Sequence, residues 1–142
     1  MKQEQTSSSV TVAQQLAHGI VNARPEKEAL GQQVGQRLIT DVLGICIAAR
    51  HEFYVKAALS AFEQEGNCTV FGFAQKCGVE GAAFVNGIAA HGEDFDDTYE
   101  GGPVHAGVVI VPALLAAAER HALSGEDVLR GVAIGVEVMC RL

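Results

Sequence analysis

Residues 91–119 read HGEDFDDTYEGGPVHAGVVIVPALLAAAE and place a dense acidic loop between two apolar segments. Five carboxylates fall within eight residues of this loop, which ends at His105. The apolar segments on either side are rich in alanine, valine and leucine at helical spacing, which predicts a helix before the loop and another after it. Charges next to buried helices are costly unless they are solvated, paired or part of a functional site. The stretch therefore predicts a helical scaffold that presents a polar loop.

Helical periodicity extends outward from this stretch over most of the chain. It predicts six helices, at about 10–23, 26–49, 53–63, 80–90, 106–122 and from Ser124, the expected N-cap, onward. Pro112 is expected in the first turn of its helix or at a kink. Residues 68–71 are the only good strand candidate and look too isolated to build a sheet. The predicted fold class is all-α, a bundle of about six helices with at most one short strand near 68–71.

A chain of 142 residues is long enough for one domain with its own core. Residues 1–9 are polar and rich in serine, so we expect a disordered leader, followed by a helical domain over residues 10–142. The last helix keeps its apolar periodicity up to Leu142 without a stop signal, so the helical domain is expected to be incomplete. Faces left without their packing partners favour self-association, and a homodimer is expected.

Composition argues against several functional classes. The net charge of −7 and the absence of any basic run argue against nucleic acid and anionic membranes as partners. No apolar run approaches the roughly 18 residues of a membrane span, and the N-terminus lacks a secretion signal, so a cytoplasmic location is expected. The cysteines are widely and irregularly spaced, which argues against a metal site built from thiols. We expect small buried hydrophobic side chains at all four positions, Cys46, Cys68, Cys77 and Cys140.

The acidic loop permits several interpretations. A surface loop whose carboxylates cap the next helix is the simplest. A D-D-x-x-E magnesium clamp over residues 96–100 would need a second acidic motif and a larger bundle, and neither is present. A calcium loop fails on the spacing of its acids and glycines. In the fourth interpretation Asp94, Thr98 and His105 face one cavity, where His105 donates or accepts a proton.

The last interpretation coincides with a family resemblance. The string Asp94-Phe95-Asp96-Asp97-Thr98, followed by a histidine and a V-x-P-A-L-L-A-A-A-E helix, resembles the signature of the MmgE/PrpD family. Further matches are DVLG at 41–44, AAFVNG at 82–87 and GVE at 135–137 with Arg141. The resemblance covers about residue 10 to the end, the N-terminal part of the family's helical domain.

The resemblance implies a function. The family includes 2-methylcitrate dehydratase, cis-aconitate decarboxylase and iminodisuccinate epimerase, lyases and isomerases of small polycarboxylates that work without metal or organic cofactor. By motif position Asp94, Thr98 and His105 resemble the family's catalytic Asp, Thr and His, and Asp94 and Thr98 would also bind substrate. His91 is expected either to cap its helix or to line the substrate pocket.

This chain departs from the family pattern in three ways. Ala106 stands where the family has a proline after the histidine, and the loop between Thr98 and His105 is about one residue longer. Family members are roughly three times as long, and their further catalytic residues lie beyond Leu142. We therefore expect an incomplete active site that is inactive alone. The alternative is a non-catalytic, truncated or degenerate helical module that self-associates.

Two side chains outside the loop complete these expectations. Glu137 and Arg141 lie four residues apart on one predicted helix, the spacing of an i,i+4 ion pair. Asp41 lies within an apolar helical pattern, so it is expected to be a buried, hydrogen-bonded group that ties helices together.

Overall fold

A computed structural model of the protein describes residues 10–25, 29–62 and 65–141. It shows six helices and two short strands in these ranges, in chain order α1 Val12–Asn22, α2 Ala29–Ala49, α3 Phe53–Ser60, β1 Cys68–Thr69, β2 Lys76–Cys77, α4 Val79–His91, α5 Ala106–His121 and α6 Gly125–Arg141. The all-α prediction is confirmed. The predicted leader, the predicted start of the second helix at residues 26–28 and the predicted end of the third at Glu63 lie outside the described residues. Within the described ranges no helix is both long and apolar enough to cross a bilayer.

Helices α4 and α5 form the centre of the bundle. They pack on each other more extensively than any other pair of elements, and α2, α3 and α6 surround them. The core between them is built from small and β-branched side chains, among them Ala82, Val85, Ala89, Val108 and Val111. Small residues let two helix backbones approach closely, which explains why an alanine-rich sequence builds this core.

Pro112 lies inside α5, beyond its first turn, and is fully buried. A proline has no N–H, so the carbonyl of Val108 loses its normal partner four residues on. That carbonyl faces Gly87 of α4, where a Cβ atom would lie only 3.3 Å from the Val108 oxygen. A larger residue at position 87 would therefore require the Val108 carbonyl to shift by a few tenths of an ångström.

The helix termini follow local sequence. Thr11 and Gln14 form a capping box at the start of α1. At the start of α6, Ser124 and Asp127 form reciprocal hydrogen bonds, in agreement with the prediction of Ser124 as the N-cap. Near the end of α6, Glu137 and Arg141 form the predicted i,i+4 ion pair.

The predicted strand has a partner that the sequence analysis did not find. Strands β1 and β2 pair antiparallel, with Cys68 opposite Cys77 and Thr69 opposite Lys76. Asn86 of α4 anchors the hairpin, since its Oδ1 accepts from the Phe71 N–H at 2.9 Å and its Nδ2 donates to the Thr69 carbonyl at 2.9 Å. Cys46, Cys68 and Cys77 are buried free thiols, and Cys140 is half-buried.

Asp41 is exposed, and the expectation of a buried, hydrogen-bonded group is wrong. The buried stripe of α2 runs through Val42, Cys46 and Ala49. Asp41 is rotated from Val42 by about 100° around the helix, which turns it out of that stripe. It lines an open cleft of about 970 Å³ together with Arg37 and with Glu93 and Phe95 of the acidic loop.

Candidate active site

The acidic loop connects the last residue of α4, His91, to the N-cap of α5, His105. It folds back on itself, because the Tyr99 N–H donates to the Val104 carbonyl at 2.9 Å. At its start the Asp94 N–H donates to the His91 carbonyl at 2.9 Å, and Asp94 adopts a left-handed backbone with φ of 57°. Aspartate tolerates this conformation better than most residues. The loop thus brings the two histidines at its ends close together.

Asp96 lies between the two histidines. Its side chain is fully buried, and each of its carboxylate oxygens lies 3.1 Å from Nδ1 of His91. Oδ2 also lies 3.0 Å from Nδ1 of His105, and the two imidazole rings are 4.9 Å apart between centroids. A buried carboxylate needs polar partners, and here both partners are imidazoles.

The contact between Asp96 and His105 is close without being a hydrogen bond. Nδ1 of His105 is shut off from solvent and has no hydrogen-bond partner among the described residues, although Oδ2 of Asp96 is 3.0 Å away. The distance suits an ion pair, while the angle at the ring does not suit a hydrogen bond. This leaves a buried nitrogen available to another partner.

Asp94 forms the outer edge of the same cluster. Its side chain is 80% exposed, and its Oδ1 lies 4.0 Å from Nε2 of His105. The His105 ring is only 25% exposed. Its Nδ1 edge faces the interior, and its Nε2 edge faces Asp94. The cluster of His91, Asp94, Asp96 and His105 thus offers donor atoms that all lie within 4.8 Å of one another.

Asp97 points away from this cluster. It caps the start of α5, where the Gly107 N–H lies 2.9 Å from Oδ1 and 3.2 Å from Oδ2. Burial raises the pKa of the Asp97 carboxyl, a change that the hydrogen bond from Gly107 partly offsets. A Cβ at Gly107 would lie 2.3 Å from Oδ1 of Asp97, so only glycine leaves room for this cap. Asp96 and Asp97 therefore face different partners, unlike the first two acids of a D-D-x-x-E clamp.

The loop also contacts α3 through Glu93. The Tyr54 hydroxyl donates to Oε1 of Glu93 at 2.7 Å. Burial raises the pKa of the Tyr54 hydroxyl to about 12, and the negative charge of Glu93 acts in the same direction. This bond fixes the first turn of the loop against the rest of the bundle.

The predicted site residues occupy unequal positions. His91, Asp94 and His105 come together around Asp96. Thr98 is exposed, and its hydroxyl makes no hydrogen bond to any residue within the described part of the chain. The roles assigned to these residues remain predictions. Asp96, the centre of the cluster, was not among the predicted site residues; its spacing of five residues after His91, at the end of a predicted helix, was the available signal.

Comparisons with known proteins place this chain in a family. A family model of the MmgE/PrpD N-terminal domain matches residues 14–142. A cis-aconitate decarboxylase-like protein of Aspergillus oryzae is 30% identical over 115 residues, which cover 74% of this chain and 24% of that protein. The cis-aconitate decarboxylase of Aspergillus terreus is 36% identical over 91 residues, covering 61% of this chain and 18% of that enzyme.

The human cis-aconitate decarboxylase is 43% identical over 65 residues, which cover 43% of this chain and 13% of the human enzyme. The chain thus spans about a quarter or less of the curated relatives it matches. No solved structure matches it. With a family match over residues 14–142, the chain belongs to the MmgE/PrpD family as a representative of its N-terminal domain.

Proposed function

We propose that this chain is the N-terminal portion of a cofactor-independent lyase or isomerase that acts on small di- or tricarboxylates. A cis-aconitate decarboxylase-like activity is favoured over dehydration or epimerisation because curated relatives carry that name. The observation that carries the proposal is the pairing of His105 with buried Asp96 at the end of a solvent-open loop.

His105 is the proposed proton-transfer residue. Its Nδ1 edge lies against a fully buried carboxylate, and its Nε2 edge lies on the side of exposed Asp94. A carboxylate 3.0 Å from an imidazole favours the positive charge that the ring carries during proton transfer, even without a hydrogen bond between them. In a decarboxylation the C–C bond breaks, CO₂ leaves, and the electron pair left on the substrate takes up a proton, which His105 would supply.

Asp94, Thr98 and His91 are the proposed substrate-binding residues. Asp94 and Thr98 are exposed on the loop, and the His91 side chain is 52% exposed at its edge. A hydroxyl and an imidazole can donate hydrogen bonds to substrate carboxylates. Asp94 could contribute only if it accepts a proton or a hydrogen bond from the substrate, since two unpaired carboxylates repel.

The charge of the site argues that this chain is inactive alone. A tricarboxylate requires cations to offset the cost of desolvating its charges. Residues 91–105 contain no lysine or arginine, and Arg37 lines the neighbouring cleft together with Glu93. We propose that residues outside this chain supply the missing positive charge.

Purified chain incubated with cis-aconitate tests this proposal. No turnover is expected, while a high concentration of cis-aconitate should raise the melting temperature of the wild-type chain by mass action. The shift should vanish in Asp94→Ala and persist in Asp127→Ala, an exposed acid far from the loop in sequence. Enzyme-like turnover by the isolated chain, or an equal shift in both variants, would contradict the proposal.

The second candidate function is a non-catalytic helical module that self-associates. The observation that favours it is α1, an amphipathic helix in which no residue is buried. Val12, Val21 and, on α5, Val109 leave more than half of their surface in water. Exposed apolar side chains favour a second copy of the chain as a partner.

A further inference from the structure

The cluster of His91, Asp94, Asp96 and His105 combines two imidazoles and two carboxylates, the donor types of transition-metal sites. We propose that His91, Asp96 and His105 bind one divalent metal ion of the zinc class, with the fourth position left to water. The donor atoms of the whole cluster, Asp94 included, lie within 4.8 Å of one another. They come from the end of α4, the loop and the start of α5, so the site is assembled by the fold.

The distances between donor atoms fit a small ion. Zinc binds nitrogen and carboxylate oxygen at about 2.0–2.2 Å in tetrahedral sites, which places neighbouring donors about 3.4 Å apart. Here Asp96 lies 3.1 Å from Nδ1 of His91 and 3.0 Å from Nδ1 of His105. Asp94 is not one of the proposed ligands, because its Oδ1 lies 4.0 Å from Nε2, at the opposite edge of the His105 ring from Nδ1.

The buried nitrogen of His105 provides an independent reason. Nδ1 of His105 is inaccessible to solvent and has no hydrogen-bond partner among the described residues. A buried polar atom without a partner is costly, and such atoms call for an unseen ion or water. An ion held between Asp96 and the two Nδ1 atoms would satisfy it and would neutralise the buried carboxylate.

The donor chemistry selects the class of ion. Imidazole nitrogen favours zinc, copper, nickel and iron, whereas magnesium and calcium prefer sites made only of oxygen donors. The half-exposed His91 and the exposed Asp94 leave the cluster open to solvent, so an ion can enter without unfolding the loop. Magnesium should therefore fail to compete with zinc at this site.

The proposed ion is a ligand of this cluster and is not required for the proposed reaction. Its binding does not depend on the proposed function, because binding is measured on the purified chain without turnover. If the function is also correct, zinc will inhibit the active enzyme, since the ion would occupy His105. Absence of metal binding would not contradict the assignment of His105 as a proton carrier. Failure of that assignment would likewise not contradict metal binding.

The proposal is tested by titrating the purified full chain with Zn²⁺ and measuring the heat of binding by calorimetry. We expect one ion per chain, and substitution of Co²⁺ should give the visible absorption of a tetrahedral site with nitrogen and oxygen donors. His91→Gln and His105→Gln should each weaken binding by about 10-fold or more. His121→Gln, an exposed histidine at the end of α5, is the matched control and should bind like the wild type.

Two further measurements keep the result interpretable. Cys140→Ser removes the one thiol that is not buried among the four cysteines and should leave zinc affinity unchanged. Circular dichroism identifies any variant that fails to fold, and His91→Gln is the safest because its ring is half-exposed. Absence of zinc binding at millimolar concentration, equal affinity in His91→Gln and His121→Gln, or a Co²⁺ spectrum dominated by thiolate bands would overturn the proposal.

Discussion

At the scale of single residues, the site depends on how the loop divides its carboxylates between the interior and solvent. Asp96 has a fully buried side chain beside two imidazoles, whereas Asp94, two residues earlier, is 80% exposed. Asp97 turns the opposite way and caps α5. Three acids close together in sequence thus have three separate tasks, which the sequence alone does not distinguish because all three are aspartates.

Replacing Asp96 by alanine should destabilise the fold. The change leaves His91 and His105 without their buried carboxylate and opens a small cavity, so we expect a loss of about 1–3 kcal/mol in the free energy of unfolding. Asp94→Asn is the matched control, and its effect should stay within about 0.5 kcal/mol because the side chain is exposed and asparagine also tolerates the left-handed backbone. Urea denaturation of both variants measures the difference. Equal effects would show that Asp96 does not organise the cluster.

Replacing Gly107 by alanine should break the cap on α5. The new methyl group would meet Oδ1 of Asp97 at 2.3 Å, so Asp97 must move and the Gly107 N–H loses its acceptor. We expect a loss of about 1–3 kcal/mol, typical of overpacking. Gly102→Ala, where nothing lies within 4 Å of the added atom, is the control. A Gly107→Ala variant as stable as Gly102→Ala in thermal denaturation would refute this assignment.

At the scale of elements, helical periodicity predicted all six helices because each has apolar residues at helical spacing, although no residue of α1 is buried. The observed bounds differ from the predicted ones by a few residues, most clearly in α3, which ends at Ser60. Strand β2 could not be predicted, because two residues carry no alternation and its pairing depends on contacts distant in sequence. Asp41 was misplaced for a related reason: one residue beside an apolar stripe lies on a different helix face.

The start of α6 should respond to pH in a defined direction. Hydrogen bonds from the Ser124 side chain and backbone lower the pKa of the Asp127 carboxyl below 3.8. A pKa lowered by folding contributes stability above the unfolded value, and this contribution is lost as pH falls through the folded value.

Ser124→Ala should therefore lower the melting temperature by a few degrees at neutral pH, and by less well below pH 3.8. Glu126→Gln changes another acid in the same turn and serves as the control for simple loss of charge. Melting curves across acidic pH decide the point. A difference between Ser124→Ala and wild type that grows as pH falls would contradict the assigned bonds.

At the scale of the whole molecule, the described helices α2–α6 share one connected core, and the acidic loop has five carboxylates but no lysine or arginine. The core continues from α2 through α4 and α5 to α6, whereas α1 lies outside it and is held to α6 by a hydrogen bond from Arg130 to the Val21 carbonyl at 3.1 Å. Family membership and three of the clustered residues, His91, Asp94 and His105, could be predicted because the motif is contiguous. The cations proposed to complete the site lie outside the motif, so the motif could not identify them.

Self-association is the prediction that belongs to this scale. The exposed apolar side chains of α1 should bury themselves against a second copy, so sedimentation velocity should show a dimer whose fraction rises with concentration. Val12→Glu together with Val21→Glu should shift the chain toward monomer. Gln15→Glu places a charge on the same helix and is the control. A wild-type chain that sediments as monomer at all concentrations would contradict this prediction.

The central claim is that this loop provides one wall of a carboxylate site in which His105 transfers a proton. The direct test is a chimera in which this chain replaces the matching N-terminal segment of the Aspergillus terreus cis-aconitate decarboxylase. The account predicts that His105→Gln lowers kcat of an active chimera by about 100-fold or more, as loss of a general acid does, while His121→Gln leaves it unchanged. Equal kcat values in the two variants would contradict it.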